Sequence, residues 1–346
     1  MTRILVVRVG ALGDTLMVTP TLRALRRQHP LAEIDVLCSE PAGALLDGNP
    51  HVSRIVRLGQ RNVPYAVSLE KQQLVGALRA RRYDMAILLE SAPRYRDLLT
   101  RANIPEIRSF AESPFDPLQH CIVNYLGVAG ADVFQAGDLD MELHLAEVET
   151  AAARSLLHDL PQPRVGIHVG YGPRRGKKHQ SQRLRGWKPE HVVQLVHDLL
   201  GRRVSIVLTG SAEDRTETER FVQGLPPDRI RSLAGRTSVR ALAAVIGSLD
   251  VFVSVDTGAA HIAAAVGTPL AVLWGPAIYE QTRPVSTCSP IRIVRVPVPC
   301  APCYGTPLMK SCTRNICMEG ISPGLALDAV NDLLERKSWH ALSAAD

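Results

Sequence analysis

The sequence predicts an α/β protein made of two doubly wound domains that face each other across a cleft. Three observations carry this. Short β-branched runs alternate with helical patterns along the chain, in two successive series. Several of these runs, among them ILVVRV, DMAILLE and LDVFVSV, are almost wholly apolar, as parallel strands covered on both faces must be. The length of 346 residues also exceeds what one ordinary core organises.

The first series of strands runs ILVVRV (4–9), EIDVLCS (33–39), SRIVRL (53–58), DMAILLE (84–90) and EIRSF (106–110). Helix patterns such as TPTLRALRR and LVGALRARR separate them. The second series follows LHDLPQPR: RVGIHVG (164–170), VSIVLTG (204–210), RIRSLAG (229–235), DVFVSV (250–255), PLAVLWG (269–275) and IRIVRV (291–296). Residues 148–163 join the two, which places one domain at 1–155 and the other at 163–323. The helical pattern within 324–346 is expected to pack back on the first domain. The segment YGPRRGKKHQSQRLRGWKP (171–189) is too long for an idle connection.

A net charge of +6 is too mild and dispersed for a nucleic-acid binder, and no nucleic-acid partner is expected. It suits anionic small molecules or an anionic membrane face, or no partner at all. No apolar run has the length of a membrane span. The N-terminal apolar run, interrupted by Arg8 and lacking a small-residue cleavage site, does not read as a signal peptide. The expected location is cytoplasmic.

In the stretch LDVFVSVDTGAAHIAAAVGTPLAVLWGP, a buried strand ends at Val255 and Asp256, Thr257 and Gly258 make a turn into a helix. Gly258 lets a ligand approach the backbone. The free N–H groups of the first helical turn, with the positive end of the dipole behind them, suit a phosphate. Thr257 adds a hydroxyl, and His261 lies one turn in. The plainer reading makes Asp256 or Thr257 an N-cap and His261 a surface residue. The loop at 171–188 holds Arg174, Arg175, Lys177, Lys178, Arg183, Arg185 and Lys188 with no acid; it is a solvated loop or a phosphate contact, with Arg185 the chosen diphosphate clamp. In LTGSAEDR, Gly210 passes a nucleotide and Glu213 reaches a ribose, or Glu213 is merely a first-turn acid.

The N-terminal turn reads GALGD. A dinucleotide fingerprint would read GxGxxG, and Asp14 at the helix mouth would repel a diphosphate. A carboxylate there serves instead as a general base toward an attacking hydroxyl, or as a plain helix cap. Arg8, Arg61, Arg94, Arg96 and Arg101 are candidate contacts for an anionic acceptor, each with a merely solvated role as the alternative.

GALGD and SVDTGAAHIAAAVGTPLAVLWGP, in this order and spacing, resemble the bacterial family 9 glycosyltransferases, typified by the lipopolysaccharide heptosyltransferases. The resemblance runs over nearly the whole chain and is weaker in the acceptor half beyond residue 30. It implies a GT-B fold of two Rossmann-like domains, an N-terminal one for the acceptor and a C-terminal one for the nucleotide sugar. It further implies inverting transfer of heptose from an ADP-sugar, with no cofactor required for catalysis. By this resemblance Asp14 is the base, Asp256, Thr257, Gly258 and His261 hold the donor, and Glu213 holds its ribose. Relatives often place a Lys two residues before the Trp of the basic loop, where this chain has Arg185; an Arg keeps the charge and gains a fork. The acceptor would be lipid-linked or another glycan, with peripheral attachment at the cytoplasmic face of the inner membrane.

Seven cysteines fit a reducing compartment. Four of them, Cys300, Cys303, Cys312 and Cys317, have a spacing that can close a tetrahedral zinc or iron site of structural kind; free or redox-active thiols are the alternative. Cys38, Cys121 and Cys288 read as packing residues. Three rival functions remain: a GT-B enzyme acting on another nucleotide sugar, including an epimerase; a nicotinamide-dependent dehydrogenase, disfavoured by the missing fingerprint; and a non-catalytic nucleotide-sugar-binding subunit.

Overall fold

The protein is described here by a computed structural model covering residues 1–133, 135–168, 170 and 184–343, of which 136 and 337–343 by backbone alone. Every expected strand is present, each within a few residues of its predicted ends. They are β1 (Arg3–Arg8), β2 (Glu33–Ser39), β3 (Arg54–Leu58), β4 (Met85–Leu88), β5 (Glu106–Ser109), β6 (Arg164–His168), β7 (Ser205–Leu208), β8 (Ile230–Ser232), β9 (Val251–Val255), β10 (Leu270–Leu273) and β11 (Ile291–Val294). They form two sheets whose paired strands are all parallel, ordered β3-β2-β1-β4-β5 and β11-β10-β9-β6-β7-β8. Both orders start at a central strand, wind outward on one side, then return and wind outward on the other. This is the doubly wound α/β arrangement, in which ligands collect at the carboxyl ends of the two strands where the order reverses. Those strands are β1 and β4 in the first sheet and β6 and β9 in the second.

The chain divides into two compact units, Met1–His144 and Leu145–Asp346. In the first unit Ile4, Leu5, Val6 and Val7 of β1 have no solvent exposure, because helices cover both faces of its sheet. Its core gathers Leu37, Leu58, Leu74, Leu78, Leu98 and Leu99 around β1 and β4. In the second unit the helix Pro189–Gly201 starts on a proline, and its Val192, Leu195, Val196 and Leu199 form one apolar face on the sheet. The helix Glu147–Leu157 packs on the helix Val239–Gly247 of the same unit and is tied to it by an Arg240–Glu149 ion pair.

The final helix, Pro323–Ser343, presents Ala326, Leu327, Val330 and Leu333 at helical spacing. These side chains join the second unit's core against β9, β10, β11 and the helix Pro189–Gly201. The described part of this helix is therefore a layer of the second unit. Among the described residues, no helix is long and apolar enough to cross a membrane.

Candidate active site

Two strand-end turns, one in each unit, hold most of the candidate site residues. In the first, β1 leads through Gly10 into the short helix Leu12–Leu16, and Asp14 bends back over the turn. Asp14 Oδ2 accepts the Ala11 N–H at 2.8 Å, while its Oδ1 accepts from Arg8 Nη2 at 2.7 Å. The capping role and the ion pair coexist on one carboxylate. A Cβ at residue 10 would lie 2.4 Å from Asp14 Oδ2, so glycine is what permits this approach. Arg8 in turn donates from Nη1 to Glu90 Oε1 at 3.0 Å, and the Val9 N–H reaches the same oxygen at 2.7 Å. Its guanidinium lies 5.6 Å from the centre of the Tyr125 ring. Burial works against the charge on Arg8, but Tyr125, Asp14 and Glu90 outweigh it and hold its pKa above the ordinary value.

Arg8, expected among the acceptor contacts, is thus committed to two carboxylates. Arg61 is exposed and donates from Nη1 to the Val9 and Gly10 carbonyls, at 3.2 and 3.3 Å, beside the same turn. Its loop is pinned from below by the buried Lys71, whose ammonium donates to the Arg61 and Val63 carbonyls. Arg94 lies over the Tyr95 ring, Arg96 pairs with Glu112, and Arg101 pairs with Asp97.

In the second unit β9 ends at Val255, followed by Asp256, Thr257 and the helix Gly258–Ala265. Thr257 occupies the N-cap position, but its side chain makes no capping bond; its Oγ1 lies 3.1 Å from Ser254 Oγ instead. The N–H groups at the helix mouth are therefore not consumed by a side-chain cap. The alanines of this helix are buried against β9 and β10, which brings its N-terminus close to the sheet edge. His261 is buried one turn in, not at the surface. Gly170, after β6, has φ +59° and approaches so closely that a Cβ would meet Val255 at 2.8 Å.

Arg185 Nη1 donates to the Asp256 carbonyl at 3.1 Å and to its carboxylate at 3.2 Å, and Tyr304 lies under the guanidinium at 5.5 Å. Arg185 and Asp256, proposed separately from sequence, therefore meet. Lys188 pairs with Glu319 at 3.5 Å, whereas Arg174, Arg175, Lys177, Lys178 and Arg183 lie outside the described residues.

The turn after β7 repeats the design of the first unit. Gly210 is followed by Ser211 and an exposed Glu213, and the buried Asp214 carboxylate accepts the Ser211 N–H at 2.8 Å. A Cβ at residue 210 would lie 2.9 Å from the Asp214 Cβ. His168, at the end of β6, has Nδ1 3.0 Å from Thr209 Oγ1, and burial lowers its pKa to about 4. Its imidazole is neutral at physiological pH.

Glu90, Tyr125, Asp214 and Tyr304 escape a reading of the sequence. Glu90 closes the DMAILLE run and is visible as a charge after an apolar strand, but its closeness to Arg8 follows from β1 pairing with β4 across 81 intervening positions.

Residues 178–312 match the profile of glycosyltransferase family 9 (heptosyltransferase). The chain is similar to lipopolysaccharide heptosyltransferase 2 of Salmonella typhimurium, 25% identical over 308 residues that cover 82% of this chain and 86% of the relative. It superposes on the ADP-heptose lps heptosyltransferase II of E. coli with a TM-score of 0.74 and 22% identity, covering 98% and 100% of the two chains. The chain is thus similar to glycosyltransferase family 9 over residues 178–312 and to distant heptosyltransferases over most of its length. It is a heptosyltransferase-like glycosyltransferase with a GT-B-like fold.

The fold is also that of the iron-containing dodecameric glycosyltransferase TibC from enterotoxigenic E. coli, with a TM-score of 0.61 and 12% identity over 96% of this chain and 78% of that one. In this chain Cys303 and Cys317 are buried and Cys300 and Cys312 partly so. Burial, aided by Cys300 and Cys312, raises the pKa of Cys303; burial, with Cys303 and Cys300 near, pushes Cys317 up to about 11. The four thiols thus share one neighbourhood. Among the described residues, no group of three His, Cys, Asp or Glu side chains is arranged to hold a metal ion. Cys38 and Cys121 are buried as expected, while Cys288 is exposed at the approach to β11.

Proposed function

We propose that this protein transfers heptose from ADP-heptose, with inversion, to a hydroxyl of a lipopolysaccharide core or related glycan, with Asp14 as general base. The observation that carries this reading is the half-exposed Asp14 carboxylate at the carboxyl end of β1, fixed by Arg8 and the Ala11 N–H. The acceptor O–H gives its proton to Asp14 as its oxygen bonds to the anomeric carbon. The bond from that carbon to the diphosphate oxygen breaks, and its electron pair leaves with ADP. In the second unit, the mouth of the helix Gly258–Ala265, with Thr257, Gly258 and His261, receives the diphosphate, and Asp256 serves the donor site by holding Arg185. Arg185 adds a cationic fork. Gly210 gives the nucleotide room, and Glu213 accepts from its ribose hydroxyls.

The charge released on ADP is met by these groups, so the reading needs no cofactor. The sugar and nucleotide assignment is supported by the relatives, which are named as heptosyltransferases. Arg61, exposed beside the Gly10 turn, is proposed to meet an anionic group of the acceptor. A lipid-linked acceptor would hold the enzyme peripherally at the cytoplasmic face of the inner membrane, which co-sedimentation with anionic vesicles tests.

The deciding experiment follows ADP release from ADP-heptose with O-deacylated lipopolysaccharide core oligosaccharide as acceptor. Asp14→Asn is expected to lower turnover by about 10²–10⁴-fold. It should leave the thermal stabilisation by ADP unchanged. Wild-type turnover in Asp14→Asn would sink the base assignment. Release of ADP with no acceptor consumed would favour an enzyme that acts on the nucleotide sugar alone.

A further inference from the structure

Arg8 is an expensive residue for the end of a central strand. Its side chain is only 18% exposed, and its Nε is buried with no hydrogen-bond partner among the described residues. A charge so placed loses much of its hydration, and an apolar side chain of similar size would often serve stability as well or better. The neighbours of Arg8 explain what the charge does. Two carboxylates from different elements converge on its guanidinium, Asp14 from the Gly10 turn and Glu90 from the end of β4, at 2.7 and 3.0 Å. Like charges so close to one cation would turn away from each other without it. Glu90 is anchored independently by the Val9 N–H, and Tyr125 lies beside the guanidinium. Arg8 is therefore held by Glu90 and Tyr125, and its remaining Nη2 is aimed at the Oδ1 of Asp14.

We propose that Arg8 is a positioning residue of the transfer: held by Glu90 and Tyr125, it fixes the Asp14 carboxylate in the orientation that accepts the acceptor proton. This rests on the reading of Asp14 as the base. Arg8 touches neither reactant and acts through Asp14. The Ala11 N–H restrains only Oδ2, so without Arg8 the carboxylate can turn about that single bond. A misplacement of about 1 Å at a reacting group can cost on the order of 10²-fold in rate. Binding of the nucleotide, which the second unit supplies, is independent of this arrangement.

The test uses the full-length protein, the same ADP-release assay, and the variants Arg8→Met, Arg8→Lys and Asp14→Asn. Arg8→Met should lower kcat by about 10–100-fold with the KM for ADP-heptose unchanged. Arg8→Lys, which keeps the charge and loses the fork, should recover part of that loss. Crystal structures of the two Arg8 variants need no acceptor: Asp14 Oδ1 should leave its position in Arg8→Met and be displaced less in Arg8→Lys. An unchanged kcat in folded Arg8→Met, or an unmoved Asp14 carboxylate, overturns the proposal. If Arg8→Met fails to fold, Arg8→Lys decides alone, since full activity there means that the bidentate fork positions nothing. If Asp14→Asn is inactive while both Arg8 variants turn over normally, the positioning role fails and the base assignment stands. If Asp14→Asn is itself fully active, the base assignment has failed first.

Discussion

Asp14 and Asp214 make the same local structure and have different surroundings. Each sits four residues after a glycine and accepts an N–H of its own turn at 2.8 Å. Asp214 is buried and also accepts the Ser211 hydroxyl, which completes a cap. Asp14 has an arginine where Asp214 has that hydroxyl, and it keeps access to solvent. The glycine before each is a steric requirement. Gly10→Ala is expected to push the Asp14 side chain off its partners and cut kcat by about 10–100-fold, with ADP-dependent stabilisation intact, as paired turnover and melting measurements will show. His168 offers a pH test. Burial holds its folded pKa near 4, against an ordinary 6.5, so between these values the unfolded chain binds the proton and the folded chain does not. Its contribution to stability is complete above about pH 6.5 and is lost as pH falls toward 4. With partial exposure allowed for, the loss is on the order of 2 kcal/mol. Urea unfolding of the wild type and His168→Asn at pH 7 and pH 5 should show a shallower pH dependence in the variant.

At the scale of elements, the second unit's site is built by what surrounds the helix Gly258–Ala265. Its alanines allow close packing on β9 and β10, and the Thr257 side chain does not cap the helix mouth. The segment before the helix Pro189–Gly201 is anchored from the other side. Trp187 is buried and its indole N–H donates to the Ile321 carbonyl at 2.8 Å, while Asn315 donates to the Gly186 carbonyl. The stretch that presents Arg185 is thus fastened to the cysteine segment and to the start of the final helix. Trp187→Phe should destabilise the protein by about 1–3 kcal/mol, because it strands a buried carbonyl; denaturant titration measures this. It should also weaken ADP binding, read by calorimetry, if the anchoring sets the direction of Arg185.

At the scale of the molecule, each unit has its own sheet and its own core, and the proposed chemistry is divided between them. The proposed reaction puts the nucleotide on the second unit alone. ADP at about a hundred times its Kd should therefore add roughly 2.7 kcal/mol to the stability of that unit, a shift of several degrees in its calorimetric transition. UDP, GDP and NADH should do less. Stabilisation by NADH and not by ADP would remove the nucleotide assignment and with it the proposed reaction.

The strands and their parallel pairing are legible in the sequence because β-branched, nearly all-apolar runs have one way to bury both faces, and the βα alternation leaves little choice of topology. The GxxGD turn, the DTG turn and the helix that follows are legible for a related reason: a glycine at a strand end leading into a helix creates an anion-ready or carboxylate-bearing mouth by local geometry alone. What surrounds these turns is decided by the tertiary structure. Strand order sets β4 beside β1 and so brings Glu90 to Arg8, turning an expected acceptor contact into a partner of Asp14. The packing of the cysteine segment on Trp187 and Tyr304 on Arg185 likewise joins residues more than a hundred positions apart. Local sequence specifies a turn; which charge faces it depends on which distant strand lies alongside, and only the folded sheet makes that choice.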